Sequence, residues 1–164
     1  MSHITPIPKC KPANDVRDFC PIALTSVMAK CLEKLFFKHV TPVITDPHQF
    51  AYCPGRSTED ALLTSMDIIS NHLDSHPKHS VESVFVDFTS AFNTMSPTVL
   101  INKLIKHNVH PNIIRWTHSY LTERSQMVIS QNRKSAVLTT STGSPQGCVL
   151  SPVLFSIYTI DIRS

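Results

Sequence analysis

The chain has 164 residues, 41% hydrophobic and 16% charged, a balance that excludes a wholly disordered polypeptide and leaves room for a packed core. Its net charge of +3 is mildly basic: it permits nucleic-acid binding without demanding it, and charge alone favours an ordinary soluble surface. Five cysteines show no C-x-x-C spacing, which excludes the common zinc-ribbon patterns and fits free thiols in a reducing compartment.

In chain order, residues 1–20 read as a proline-rich extended leader. From about Thr25 to Val43 the pattern is helical, with Val27, Met28, Cys31, Leu32, Leu35 and Phe36 on one face. A second helix is predicted from Thr58 to His72. Ser57 is its N-cap and Asp60 the reciprocal acid three residues on. Its stripe of Leu62, Leu63, Met66, Ile69 and Leu73 is expected to face the core. Val81–Phe88 is rich in Val and Phe and predicts a strand ending in an aspartate.

Pro97 precedes a helix over Thr98–His107, and Pro111 opens another to about Leu121. Gln126–Ser130 and Ser135–Thr140 predict a hairpin across Gln131-Asn132-Arg133-Lys134. A last helix is expected from about Leu150 to Ile162. These elements predict one mixed α/β (α+β) domain, with helices packed on a small sheet. No signal segment opens at Met1, and no apolar run nears the roughly 20 residues of a membrane span. An intracellular protein is expected, nuclear or cytoplasmic. The nine histidines are scattered along the sequence and read as ordinary surface or core residues.

Two segments carry chemistry. In Val86-Asp87-Phe88-Thr89-Ser90-Ala91-Phe92 an acid closes an apolar run. Such a carboxylate either caps the following helix or binds a hard cation such as magnesium. In Thr142-Gly143-Ser144-Pro145-Gln146-Gly147 a tight polar loop precedes an apolar helix. It is either a simple turn or a set of backbone N–H groups able to meet phosphate.

Taken with Phe50-Ala51-Tyr52-Cys53-Pro54-Gly55-Arg56-Ser57-Thr58 and the opening block Asp18-Phe19-Cys20-Pro21-Ile22-Ala23-Leu24, these segments resemble the reverse transcriptase domain of non-LTR (LINE-type) retrotransposons. Order and intervals agree over nearly the whole chain. The resemblance implies the fingers and first part of the palm of a right-hand polymerase over residues 8–164, with the thumb absent. It implies an RNA-directed DNA polymerase fragment that uses magnesium, deoxynucleoside triphosphates, an RNA template and a DNA primer. Residue by residue, it implies that Asp87 is the first metal-binding, catalytic aspartate and that the Phe88 backbone carbonyl assists it. Phe92 falls where an aromatic ring meets the sugar 2′ position. Gln146 and Gly147 match the motif beside the incoming nucleotide, and Arg56 the fingers contact to nucleic acid.

The family's second catalytic block, an aromatic residue, a variable one and two aspartates, is expected soon after the last helix. The sequence reaches Ser164 before it. Tyr158-Thr159-Ile160-Asp161 has one aspartate only and is expected to lie inside that helix. A single carboxylate does not organise two magnesium ions, so residues 1–164 alone are expected to be inactive. Cys20 and Cys53 stand where the family usually or often has basic residues. Two other readings are a non-catalytic nucleic-acid-binding remnant using Lys9, Lys11, Arg17, Arg56, Arg124, Arg133 and Lys134, and a translated fossil without a biochemical role.

Overall fold

The proline-rich opening segment is extended over much of its length and enters a sheet. In the computed structural model, which describes residues 2–44, 46–88, 90–130 and 133–162, it supplies β1 (Ser2–Pro8), which pairs antiparallel with β2 (Phe19–Leu24). The chain divides into two compact units, residues 1–44 with 90–164 and residues 45–89.

In the first unit, β2 is followed by α1 (Val27–Val40), capped by the Ser26 hydroxyl on the Ala29 amide, and by a 3-10 turn over Thr41–Val43. After residue 90 come α3 (Ala91–Thr94), α4 (Pro97–Lys106) and α5 (Pro111–Leu121). Proline in the first turn of α4 and α5 fixes φ where no intrahelical N–H partner is lost, so both helices begin where the sequence places them. A hairpin forms with a different second arm from the expected one: Arg133 and Lys134, placed in the turn by the sequence, are a strand, and of Ser135–Thr140 only Leu138–Thr140 is one. β3 (Arg124–Ser130) runs antiparallel to β4 (Arg133–Lys134) and to β5 (Leu138–Thr140). Gln131 and Asn132, which the expected turn includes, lie outside the described residues. β1 joins β3 in parallel, which completes a mixed sheet in the order β2-β1-β3-β4, with β5 also on β3.

The core lies among the helices. α6 (Ser151–Tyr158) is its centre, with Val153, Leu154 and Ile157 fully buried against Leu100 and Leu104 of α4, Leu121 of α5 and Val40 of α1. Each such aliphatic side chain contributes about 1.5–3 kcal/mol of transfer free energy. Trp116 stacks on Phe36 at 3.7 Å between ring centroids and on Tyr120 at 5.0 Å, tying α5 to α1. α6 ends at Tyr158, earlier than expected. Asp161 therefore lies past the helix, where it pairs with Lys103 at 3.4 Å.

The buried face of α1 differs from the expected one except at Phe36, which packs on the core while the other five residues of the expected stripe are exposed. Val27 and Met28 are 76% and 80% exposed, and the side turned inward carries Glu33, Phe36, Phe37 and Val40. Apolar periodicity misplaces the face because its innermost residue is an acid, Glu33, at 1% exposure.

In the second unit the regular element is α2 (Thr58–Ser75), opened by the expected reciprocal cap between Ser57 and Asp60. Its apolar stripe is a correction: Leu62, Leu63 and Met66 are exposed and none of the helix's residues is buried. Residues 81–88 are a second correction. They form no strand, because among the described residues of this unit no other strand offers a ladder. Val84 and Phe85 stand 85% and 94% exposed.

The cap gives α2 a pH-dependent start. The Ser57 hydroxyl and then the Ser57 amide hold the Asp60 carboxyl below its usual range. A carboxyl lowered in the fold lends stability that is present at neutral pH and lost as pH falls through the acid range. Acidification from about pH 5 toward about pH 2 is therefore expected to lower the protection of the first turn of α2, read as its amide exchange relative to the intrinsic rate at each pH. Asp60→Asn should remove that dependence, and hydrogen exchange read by mass spectrometry checks it.

Candidate functional site

The loop between β5 and α6 is built around Gly143. Its φ is +66°, and a Cβ there would stand 2.6 Å from the Phe92 carbonyl oxygen and 2.7 Å from Asn93 Cα. Only glycine permits that approach. The loop and the Phe92 turn are thereby laced together: the Ser144 amide donates to the Phe92 carbonyl at 2.6 Å, and the Gly143 amide to the Met95 carbonyl at 2.8 Å. The Phe92 ring meets Phe155 of α6 edge-on at 5.7 Å.

On its other side the loop is fixed to β2. The Ala23 amide donates to the Gln146 carbonyl at 2.8 Å, and the Gln146 side-chain amide donates to the Cys20 sulfur at 2.9 Å. Gly147 is exposed, with φ of +91°, and a Cβ there would meet Ile22 at 3.0 Å. Structure thus joins three of the sequence-selected residues, Phe92, Gln146 and Gly147, in one loop system. Cys20, singled out as a departure from the family, is the direct partner of Gln146.

A cavity of about 320 Å³ opens beside this loop, lined in part by Pro21, Asn93, Arg124, Thr142, Ser144 and Gln146. Ser144 is 3% exposed, and its hydroxyl has no hydrogen-bond partner among the described residues. Arg124 is less available than its charge suggests. Its guanidinium donates to the carbonyls of Leu121, Thr142 and Gly143, at 3.1, 2.6 and 3.0 Å. Burial lowers its pKa from the ordinary value. It is a strut of the loop, which weakens its case as a phosphate contact.

Beneath the loop lies a polar cluster that sequence reading missed. Glu33 of α1 accepts from the Val149 and Leu150 amides at 2.8 and 3.4 Å, just ahead of α6. α6 has no side-chain cap of its own, so a residue more than a hundred positions away supplies one. A carboxylate there also complements the positive end of the helix. The Cys148 thiol sits against Tyr120 and Glu33, and burial pushes both the thiol and the Tyr120 hydroxyl up in pKa. No local motif announces Glu33; its position on the face of α1 shared with Phe36, Phe37 and Val40 is the available signal.

The other selected residues belong to the second unit. Asp87 and Phe88 are exposed in the extended segment 81–88, and Thr89 lies outside the described residues. The family role given to Asp87 implies magnesium. Among the described residues, no group of three ligating side chains includes Asp87. One exposed carboxylate does not fit a magnesium pair, which needs more acidic oxygens or bound phosphates. Arg56 is engaged locally. It donates to the carbonyls of Pro47 and Gln49, the latter at 2.9 Å, and lies 5.4 Å over the Phe50 ring. It therefore shapes the 46–50 loop whatever else it contacts.

Comparison with known proteins agrees with these blocks. Residues 7–163 match the family described as reverse transcriptase (RNA-dependent DNA polymerase). The chain belongs to that family. It is 30% identical over 159 residues to a probable RNA-directed DNA polymerase from transposon BS of Drosophila melanogaster. It is 29% identical over 157 residues to a probable RNA-directed DNA polymerase from transposon X-element, and 27% over 158 residues to the RNA-directed DNA polymerase from mobile element jockey, both of that species. Each match covers 93% of this chain and 17% of the relative, so the chain spans about a sixth of their length. Among the described residues, no helix is long and apolar enough to cross a membrane.

Proposed function

We propose that the chain is the fingers and first palm segment, residues 8–164, of a retrotransposon RNA-directed DNA polymerase, and that these residues do not polymerise DNA by themselves. The observation that carries the first half is the Gly143–Gly147 loop. It is pinned to Phe92 and β2, and it borders a cavity with a buried, unpartnered Ser144 hydroxyl among the described residues. Gln146, Gly147 and Phe92 are assigned to the incoming nucleotide. Buried hydrogen-bonding capacity beside them is what a polar ligand would satisfy.

Asp87 is assigned as a metal-binding catalytic carboxylate, assisted by the Phe88 carbonyl, and Arg56 as a contact to template or primer. The lone exposed carboxylate supports the second half of the proposal. Without further acids or phosphates it holds no pair of magnesium ions. Purified residues 1–164, given a primed RNA template, deoxynucleoside triphosphates and magnesium, are expected to extend no primer above the protein-free blank. Clear, template-dependent incorporation would overturn the inactivity.

A further inference from the structure

Three of the scattered histidines converge. His72 lies in the last turn of α2, and His76 directly follows the helix. Pro77 stops the helix, since the residue before proline is driven out of the helical region, and His76 has φ −136° and ψ 74°. A turn then forms, in which the His79 amide donates to the His76 carbonyl at 2.9 Å. It folds His79 back over the helix end. The spacing H-x3-H-x2-H, which means little along an open chain, becomes a cluster of three rings.

The ring centroids of His72 and His76 are 4.7 Å apart, those of His76 and His79 4.8 Å, and those of His72 and His79 5.4 Å. One potential ligand atom from each ring lies within 4.8 Å of the others, and all three residues are exposed. His79 Nδ1 and His72 Nε2 are 3.3 Å apart. Two nitrogens bound to one tetrahedral zinc at the usual Zn–N length are about 3.3 Å apart. The rings are stacked, at interplanar angles of 18–39°, and His76 Nδ1 lies 3.1 Å from the His72 carbonyl, so coordination requires the exposed rings to turn until a lone pair of each faces the ion.

We propose that His72, His76 and His79 bind one divalent transition-metal ion of the zinc class, with the fourth position open to water. Three neutral imidazoles suit zinc, nickel or copper and disfavour magnesium, which prefers oxygen. The ion would sit at the carbonyl end of α2, where the helix dipole favours a cation. Bound there, it would clip the helix end to the Pro77 turn. This site is separate from the polymerase assignment and holds or fails without it.

The test is calorimetric titration of zinc chloride into the full chain, prepared without a histidine tag, beside His79→Ala and the triple variant His72→Ala/His76→Ala/His79→Ala. All five cysteines remain in each, so thiol binding is common to all. The wild-type chain is expected to bind one zinc more than the triple variant. His79→Ala, placed outside the helix, should weaken that event by at least about tenfold, the low end of the effect of losing even an outer-shell partner. Circular dichroism establishes that α2 is kept in the variants. Equal zinc uptake by the wild-type chain and the triple variant overturns the site, and unchanged affinity in His79→Ala overturns the three-histidine geometry.

Discussion

Gly143→Ala is expected to destabilise the first unit by about 2–6 kcal/mol. Two costs add. A side chain at φ +66° is held in the left-handed region, at about 1–3 kcal/mol. The new methyl also stands 2.6–2.7 Å from backbone atoms of Phe92 and Asn93, which cannot swing aside as a side-chain tip would. Overpacking of that kind costs about 1–3 kcal/mol. Relief requires breaking the 2.6 Å bond from the Ser144 amide to the Phe92 carbonyl, so the loop and the Phe92 turn should separate together. Urea unfolding followed by the fluorescence of Trp116, packed between Phe36 and Tyr120, measures the loss. A midpoint equal to that of the parent would contradict the close approach.

Glu33→Leu is expected to cost about 2–3 kcal/mol, and Glu33→Gln about half of that. Two effects oppose each other. Removing a buried carboxylate relieves its desolvation, and apolar replacements of buried charges are often tolerated when all partners go as well. Here the partners stay. The Val149 and Leu150 amides would lose their acceptor, and each buried group left unpaired costs about 1–3 kcal/mol. Unpaired amides outweigh the relief because α6 has no other side-chain cap and lies at the centre of the core. Glutamine keeps an acceptor oxygen at the same reach and loses only the charge. The same urea titration ranks the three proteins, and a leucine variant as stable as the parent would remove Glu33 from its role as a remote cap.

These residues also show where the sequence was readable. Helix starts at Ser57, Pro97 and Pro111 follow from local chemistry, and each appears where that chemistry puts it. Two-residue alternation, also local, locates the pairing of β3 with β5, but not that with Arg133–Lys134, which the same reading places in the turn. Faces and partners are not local. Glu33 is inside because of amides more than a hundred residues away, so hydrophobic periodicity assigned the wrong face to α1. Residues 81–88 have the composition of a strand, yet a strand needs a ladder, and composition cannot supply one. α2 has a regular apolar stripe that is exposed, so its periodicity predicted the helix correctly but not its burial.

The candidate site divides in the same way. Phe92, Gln146 and Gly147 were selected by their motif blocks, and the loop geometry unites them. Arg124 carried the right charge for nucleic acid and turned out to brace carbonyls. The histidine cluster was missed because its third ring arrives through a proline turn, a change of direction that spacing along the chain does not display.

The most direct measurement concerns Asp87. Residues 1–164 would be followed by the family's aromatic-x-Asp-Asp hairpin and the rest of a polymerase, and primer extension on RNA compared with an Asp87→Asn version of the same chimera. A metal ligand contributes several kcal/mol to the transition state, so the substitution is predicted to slow extension by about a thousandfold while the chimera stays folded. Extension at the parent's rate with asparagine at position 87 would contradict the assignment.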